Sequence, residues 1–367
     1  MRIGLFGGCF NPIHSHHLKI AEKARNACNL DEVWFIPVFK PVHKQDHDLL
    51  PYETRLELLT AAVESDHRLR VSEVEKTLGG PSYTIETVRH LQTAFPDHDF
   101  TLIIGSDSLY DLPNWKEAGN LMAQIPFAIV PRPQFTEKLD LPNTRSEWLP
   151  IDSDEISSST IRDSLSKGRL KGLKIPARVA ALIVKKDLYG CMSGKFRKWL
   201  DILKDKSGSL DKKLINHIEN TALLAAEFSA AFGEDPRYGF LAGYAHDLFR
   251  LSAPEVILGM VRRAGIITKP VETHFPMLAH GAAAAAFLQT LTPRIPSSII
   301  RAVRWHTFPR SKAGKLSKAL VIGDALDPSR RDPELGKIRN SPSPPDEKYR
   351  TIAAIKKRKA EQRNAHG

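Results

Sequence analysis

The sequence predicts an α/β domain built on a parallel sheet, followed by an all-α domain. Two observations carry that reading. Through residues 1–189, short apolar strand-like runs alternate with segments of helical period, the pattern of βαβ units. After residue 213 the strand signal disappears and only helical periods remain.

The elements follow in order. Residues 2–6 read as an apolar strand ending in Gly7-Gly8, and Leu18, Ala21, Ala24 and Cys28 then recur at helical spacing. Residues 32–38 are a second buried strand, with helices over 55–63 and 83–93, and strands over 100–104 and 126–130. Helices over 158–166 and 176–186 close the domain. Ligands of such sheets bind beyond the carboxyl ends of the strands. Gly7-Gly8, Gly105-Ser106-Asp107 and Pro131-Arg132-Pro133 each follow a strand, so all three are expected at one crevice. Residues 190–213 hold seven basic against three acidic residues and read as a basic linker. Helices are expected over 214–231, 237–249, 254–263, 279–291, 297–306 and 315–326, giving an all-α domain over 214–330. Residues 331–367 read as a basic, low-complexity, disordered tail with room for one helix.

Composition narrows the function classes. Of 367 residues, 42% are hydrophobic and 26% charged, which excludes a wholly disordered or collagenous chain. No run approaches the ~18 apolar residues of a membrane helix, and the MRIGLFGGCF start lacks a cleavage site for a secretory signal. Cys9, Cys28 and Cys191 cannot form a disulfide framework, so a reducing cytoplasm is expected. The net charge of +11 opens a nucleic-acid reading. However, the linker holds +4 of it and the tail +5, which leaves +2 for the two domains and argues against bulk-charge binding.

Two segments have the chemistry of anion cradles. Gly7-Gly8-Cys9-Phe10-Asn11-Pro12-Ile13-His14-Ser15-His16-His17 joins a strand to a helix. Glycines there let backbone approach an anion, and the helix start offers free N–H groups. His14 and His17 share one helical face, where two imidazoles can donate to phosphoryl oxygens. Far downstream, Ser157-Ser158-Ser159-Thr160-Ile161-Arg162 places hydroxyls and a guanidinium at another helix start. Alone, each fits an ordinary turn or N-cap. Together they suggest a triphosphate held from both sides, with in-line attack by a bound phosphate and no covalent nucleophile.

These residues carry a resemblance. Residues 7–17 resemble the GGTFDPxHxGH signature of nucleotidyltransferases, and residues 156–162 resemble their ISSTxIR signature. Phe35-Ile36-Pro37, Val42-His43-Lys44, Arg55-Leu56-Glu57-Leu58-Leu59, Ser82-Tyr83-Thr84-Ile85-Glu86-Thr87, Ile104-Gly105-Ser106-Asp107 with Trp115, and Pro131-Arg132-Pro133 narrow it to the nicotinate-nucleotide adenylyltransferases. The resemblance implies a Rossmann-like nucleotidyltransferase domain over 1–189. It implies transfer of AMP from ATP to nicotinate mononucleotide with Mg²⁺, giving deamido-NAD and pyrophosphate. It implies that His14, His17, Lys44 and Arg162 are catalytic. Gly7, Gly8, Cys9, Phe10, Gly105, Asp107, Ser158 and Ser159 would bind ATP. Thr84, Trp115 and Arg132 would bind the acceptor, the indole stacking on the pyridine ring. Three positions depart from the pattern: Cys9 for Thr, His16 for Gly, and Ser159 for Thr. The His16 ring either narrows the ATP site or turns to solvent. Nicotinamide mononucleotide and phosphopantetheine are the rival acceptors.

The helical half presents a different set: His217, the pair His246-Asp247, His280, His306 and Asp324. The His-Asp pair and Asp324 interrupt apolar runs, where uncompensated polar burial is costly, and imidazole with carboxylate suits a divalent transition ion. His274 and His43 lack such context and read as surface residues. The order H…HD…D resembles HD phosphohydrolases. Met277-Leu278-Ala279-His280-Gly281, Ala302-Val303-Arg304-Trp305-His306-Thr307 and Gly323-Asp324-Ala325-Leu326-Asp327-Pro328-Ser329-Arg330 are similar to the bacterial HD family that cleaves diadenosine tetraphosphate symmetrically. That resemblance implies one ion held by His217, His246, Asp247 and Asp324, a second completed by His280 and His306, and phosphate bound by Arg250 and Arg330. Leu214 and Phe308-Pro309 depart from that family. A non-hydrolytic, regulatory nucleotide-binding module is the alternative.

Overall fold

The structure is a computed structural model that describes residues 1–42, 48–132, 134–135, 137, 144–151 and 156–365. Two compact units emerge, Met1–Asp163 with Lys174–Val179, and Ser164–Leu173 with Ala180–Gly367.

The first unit is built on six parallel strands: β1 (Arg2–Gly8), β2 (Glu32–Pro37), β3 (Leu69–Val71), β4 (Asp99–Gly105), β5 (Phe127–Val130) and β6 (Ser146–Trp148). Their spatial order is β3-β2-β1-β4-β5-β6. The chain winds one way from β1 and the other way from β4, so the topological switch point lies between β1 and β4. The crevice beyond those two strand ends is where open α/β sheets bind ligands. β1 and β2 are nearly continuous apolar runs because both faces of a parallel sheet are covered. The helices are α1 (Ser15–Ala27), α2 (Tyr52–Val63), α3 (Val74–Leu78), α4 (Thr84–Ala94), α5 (Ser106–Asp111) and α6 (Ala118–Gln124); α7 (Ser158–Ser166) and α8 (Ala177–Lys185), which follow β6, begin in this unit and end in the second. The short strands β3 and β6 carry no sequence signal because they are three residues long and not fully buried.

The second unit contains helices α9 (Lys195–Ser207), α10 (Lys212–Ala231), α11 (Pro236–Ala245), α12 (Pro254–Arg263), α13 (Pro270–His274), α14 (His280–Gln289), α15 (Ser297–Trp305), α16 (Lys315–Ala325), α17 (Pro333–Asn340) and α18 (Pro345–Ala365). Close approach is written into its glycines. A Cβ on Gly239 would lie 2.2 Å from the Ala225 carbonyl oxygen, on Gly243 2.5 Å from Ala222 Cα, and on Gly323 2.8 Å from Ala225 N. Only bare backbone lets α11 and α16 both press onto α10.

Two expectations are corrected here. Residues 190–213 are not simply a linker: Phe196, Trp199, Leu200 and Leu203 form the buried face of α9, and Trp199 Nε1 donates to the Pro293 carbonyl at 2.7 Å. Residues 331–365 are not a disordered tail: Leu335, Tyr349, Ile352 and Ile355 share a core with Val321, Ile322, Ala325 and Leu326. In both segments the lysines and arginines lie around an apolar stripe of helical period, and composition masked the stripe. The domain boundary also differs from 189, since buried Arg237 of α11 donates to the carbonyls of Cys191 and Gly168 and ties those segments to the helical unit. No described helix is long and apolar enough to cross a membrane.

Candidate active sites

A cavity of about 800 Å³ opens at the switch point of the sheet. Gly7, Gly8, Cys9, Phe10, His14, His17, Thr84, Gly105, Asp107, Trp115, Arg132, Ser158, Ser159 and Arg162 all line it. Every predicted residue of the first site is therefore gathered there except Lys44, which, like His43, lies outside the described residues.

The loop after β1 is shaped by Phe10, whose φ of 46° is left-handed. Such a conformation costs a non-glycine residue ~1–3 kcal/mol and persists only where packing over-determines it. Here the Phe10 ring packs edge-on against Phe6, Phe35 and His17. The His14 N–H donates to His17 Nδ1 at 3.2 Å. The acceptor nitrogen carries no hydrogen, so neutral His17 holds its proton on Nε2 and is a donor there. The His14 and His17 rings stack at 3.7 Å. Burial, then His16 and Arg132, lowers His14 to about 4; burial, His14 and Arg132 hold His17 well below the usual histidine range. The pair thus meets an anion as neutral donors. His16 is buried, so its ring does not turn to solvent.

The second cradle is fastened to the first. Ser157 Oγ accepts the Thr160 N–H at 3.2 Å and caps the start of α7. Ser158 Oγ donates to the Pro12 carbonyl and Arg162 Nη1 to the Asn11 carbonyl, each at 2.9 Å. Three further residues carry weight that the sequence reading missed. Arg55, only 1% exposed, donates to the carbonyls of Cys9, Val38 and Leu50 and so braces the glycine loop from behind. Asn11 holds the same loop through Asp48 and Leu50. Glu75 lines the cavity with its carboxyl pushed up by burial, although Ser82 and the Phe39 N–H partly offset this. Arg55 was legible only as part of a motif, and Glu75, between Glu73 and Lys76, carried no signal.

In the helical unit, α10 supplies His217, the end of α11 supplies His246 and Asp247, the start of α14 supplies His280, the end of α15 supplies His306, and α16 supplies Asp324. All six are buried. Two ligand groups share Asp247: His217, His246 and Asp247, and Asp247, His280 and His306. The geometry fits divalent cations on a specific ground. The Nδ1 atoms of His246, His280 and His306 lie 2.6–2.8 Å from the carbonyls of Gly243, Met277 and Val303, which can only accept, so those three nitrogens carry hydrogen. His217 Nδ1 lies 2.6 Å from Asp327 Oδ2. The Nε2 atoms consequently face one another in pairs, His217 with His246 at 3.2 Å and His280 with His306 at 3.1 Å. Facing lone pairs repel unless a proton or metal ion lies among them, and a histidine fixed through its other nitrogen is the usual support of a metal ligand. Asp247 Oδ1 is buried without a hydrogen-bond partner on the side of His280 and His306. Burial lowers His217, but Asp247, Asp324 and Asp327 outweigh it and push the imidazole up to about 10, so an arriving ion displaces a proton.

Asp324 lies outside both groups although its Oδ1 is 3.4 Å from His217 Nε2, and it is paired with Arg330 through Oδ1 and with Lys356 through Oδ2. Arg250 pairs with Asp247 at 2.6 Å. Both predicted arginines line the adjoining cavity of about 770 Å³. Asp327, quoted in the sequence motif without a role, orients His217. His274 is exposed. Gly281 gives His306 its room, since a Cβ there would lie 2.9 Å from the ring and from the Val303 carbonyl oxygen. Gly281→Ala is expected to destabilise the helical unit by ~1–3 kcal/mol and to lower retained metal. Thermal melts and metal analysis check both effects.

Comparison with known proteins agrees with this division. Residues 5–164 match the cytidylyltransferase-like family and residues 214–347 the HD domain. A probable nicotinate-nucleotide adenylyltransferase of Shouchella clausii is 40% identical over 189 residues, covering 52% of this chain and 97% of the relative. One from Salinibacter ruber is 39% identical over 52% of this chain and 98% of the relative. Among solved structures, a nicotinic acid mononucleotide adenylyltransferase of Plasmodium falciparum complexed with NaAD is 22% identical over 52% of this chain and 97% of its own, with a TM-score of 0.43. The chain therefore belongs, through its first half, to the nicotinate-nucleotide adenylyltransferase family of enzymes, and it carries an HD domain behind that half.

Proposed function

We propose that the first unit transfers AMP from ATP to nicotinate mononucleotide, releasing pyrophosphate and forming deamido-NAD. The observation that carries this is the neutral His14–His17 stack in the switch-point cavity, with Thr84 and Trp115 lining the same space. The acceptor phosphate attacks the α-phosphorus of ATP in line, and Mg²⁺ accompanies the triphosphate. His17 donates from Nε2 to a phosphoryl oxygen as charge builds, while Arg162 holds the phosphate chain and Ser158 and Arg55 keep the loop in register. Trp115 offers its ring to the pyridine of the acceptor. The test is the full chain with ATP and either nicotinate or nicotinamide mononucleotide. Deamido-NAD and pyrophosphate are expected with the first; absence of any dinucleotide overturns the reading.

A pH profile checks the protonation states. Since neutral imidazoles are the working form, transfer is expected to persist below pH 6.5 and to fail only on approach to about 4. The unfolded chain takes up these protons first, so the same histidines also lower stability as pH falls from 6.5 towards 4. An acid limb centred near 6.5 would refute this.

The HD unit is proposed to be a metal-dependent phosphohydrolase acting on a nucleotide or dinucleoside polyphosphate. His217, His246 and Asp247 would hold one ion, with Asp324 beside them, and Asp247, His280 and His306 a second. When bound, such ions activate water and neutralise a bridging phosphate. Around them Asp327 orients His217, and the backbone carbonyls orient the other three rings. Diadenosine tetraphosphate is the first substrate to assay. A folded chain that keeps its metal, binds polyphosphate and turns none over would instead be a regulatory sensor.

A further inference from the structure

The match to the HD domain ends at residue 347, yet a side chain beyond it reaches the ligand cluster. Lys356 Nζ lies 2.7 Å from Asp324 Oδ2 and 3.0 Å from the His306 carbonyl oxygen, and the side chain is only 19% exposed. It thus touches Asp324, which lies beside the first ligand group, and the backbone of His306 in the second. The placement is anchored. Tyr349, Ile352 and Ile355 are buried against α16, Tyr349 Oη donates to the Arg310 carbonyl at 2.7 Å, and Lys348 Nζ caps the last carbonyls of α17. One turn on, Lys359 lines the same cavity and pairs with Asp332 at 2.5 Å. Arg330 adds a buried Nε with no partner. The wall facing the ligand cluster is therefore cationic, and two of its charges come from α18.

We propose that α18 is part of the HD site: Lys356 holds Asp324 in place and, with Lys359 and Arg330, receives the phosphate chain of an anionic polyphosphate. This rests on the reading of that cavity as a polyphosphate site. The ammonium groups act as point charges for phosphate oxygens, and Lys356 braces a carboxylate from behind.

The test is calorimetric titration of the full chain with inorganic tripolyphosphate. The binding component that Arg330→Ala removes belongs to this cavity. Lys356→Met is expected to weaken that component about tenfold and to lower retained metal, and Lys356→Arg to restore both. Lys359→Ala, which leaves Asp324 untouched, is expected to weaken it about threefold. Adenylyl transfer stays unchanged in all four variants. If Lys356→Met and Lys359→Ala both bind as wild type, the inference is overturned while the polyphosphate site stands. If Arg330→Ala removes no component, the reading of the cavity fails and the inference falls with it. Should Lys356→Met not fold, Lys359→Ala decides alone.

Discussion

His17→Ala is expected to lower adenylyl transfer by ~10²–10³-fold, the usual cost of deleting one donor to a developing oxyanion. The expectation follows from the tautomer. Because His17 Nδ1 accepts the His14 N–H, its proton lies on Nε2, and burial with the neighbouring His14 and Arg132 holds the imidazole neutral. The loss should fall mainly on kcat, since a neutral donor gains strength as the phosphoryl oxygens gain charge. Removing the ring also leaves the His14 N–H without its acceptor, so a small loss of stability is expected beside the kinetic effect. His17→Gln, a neutral donor of similar reach, is expected to recover part of kcat. Metal content and polyphosphate turnover of the helical unit should not change. A substitution that altered KM alone would show that His17 only binds ground-state phosphate.

Asp247→Asn is expected to empty both ligand groups and abolish the proposed phosphohydrolysis while leaving adenylyl transfer intact. Asp247 is the one carboxylate common to the two groups, with one oxygen towards His217 and His246 and the other towards His280 and His306. Loss of an outer support of a metal ligand costs ~10–100-fold in affinity, and a shared direct ligand costs more. The substitution keeps the volume, and its partner Arg250 is 44% exposed at the side chain, so the fold should survive. Metal analysis of the purified chain, with a thermal melt as control, checks this. Full metal content in folded protein would show that the cluster is an ordinary network of buried polar groups.

Much of this arrangement was legible in the residues. Gly7-Gly8 and Gly105 at the ends of apolar runs place the crevice, because a parallel sheet has only one end at which such loops collect. His246, Asp247 and Asp324 stand out because a polar group inside an apolar helical run demands a partner, whereas His217, His280 and His306 were legible through the motifs that surround them. Arg55 and Asp327 were legible only as parts of motifs: their partners are backbone carbonyls and a histidine that the fold brings up from far along the chain. Segments 190–213 and 331–365 misled because their charge is plain in composition, whereas the apolar stripes of α9 and α18 acquire meaning only against α16 and the Pro293 loop.

By itself, then, the amino-acid order determined a parallel α/β domain, a helical domain behind it, the His14–His17 pair and six candidate metal ligands, since local period and motif order are properties of neighbouring residues. Only the tertiary structure decided that His17 donates from Nε2, that Asp247 is shared between two ligand groups, and that Lys356 reaches Asp324. Those facts depend on close approach between elements distant in the chain, and the glycines of α11 and α16 that permit it express no preference until another backbone lies against them.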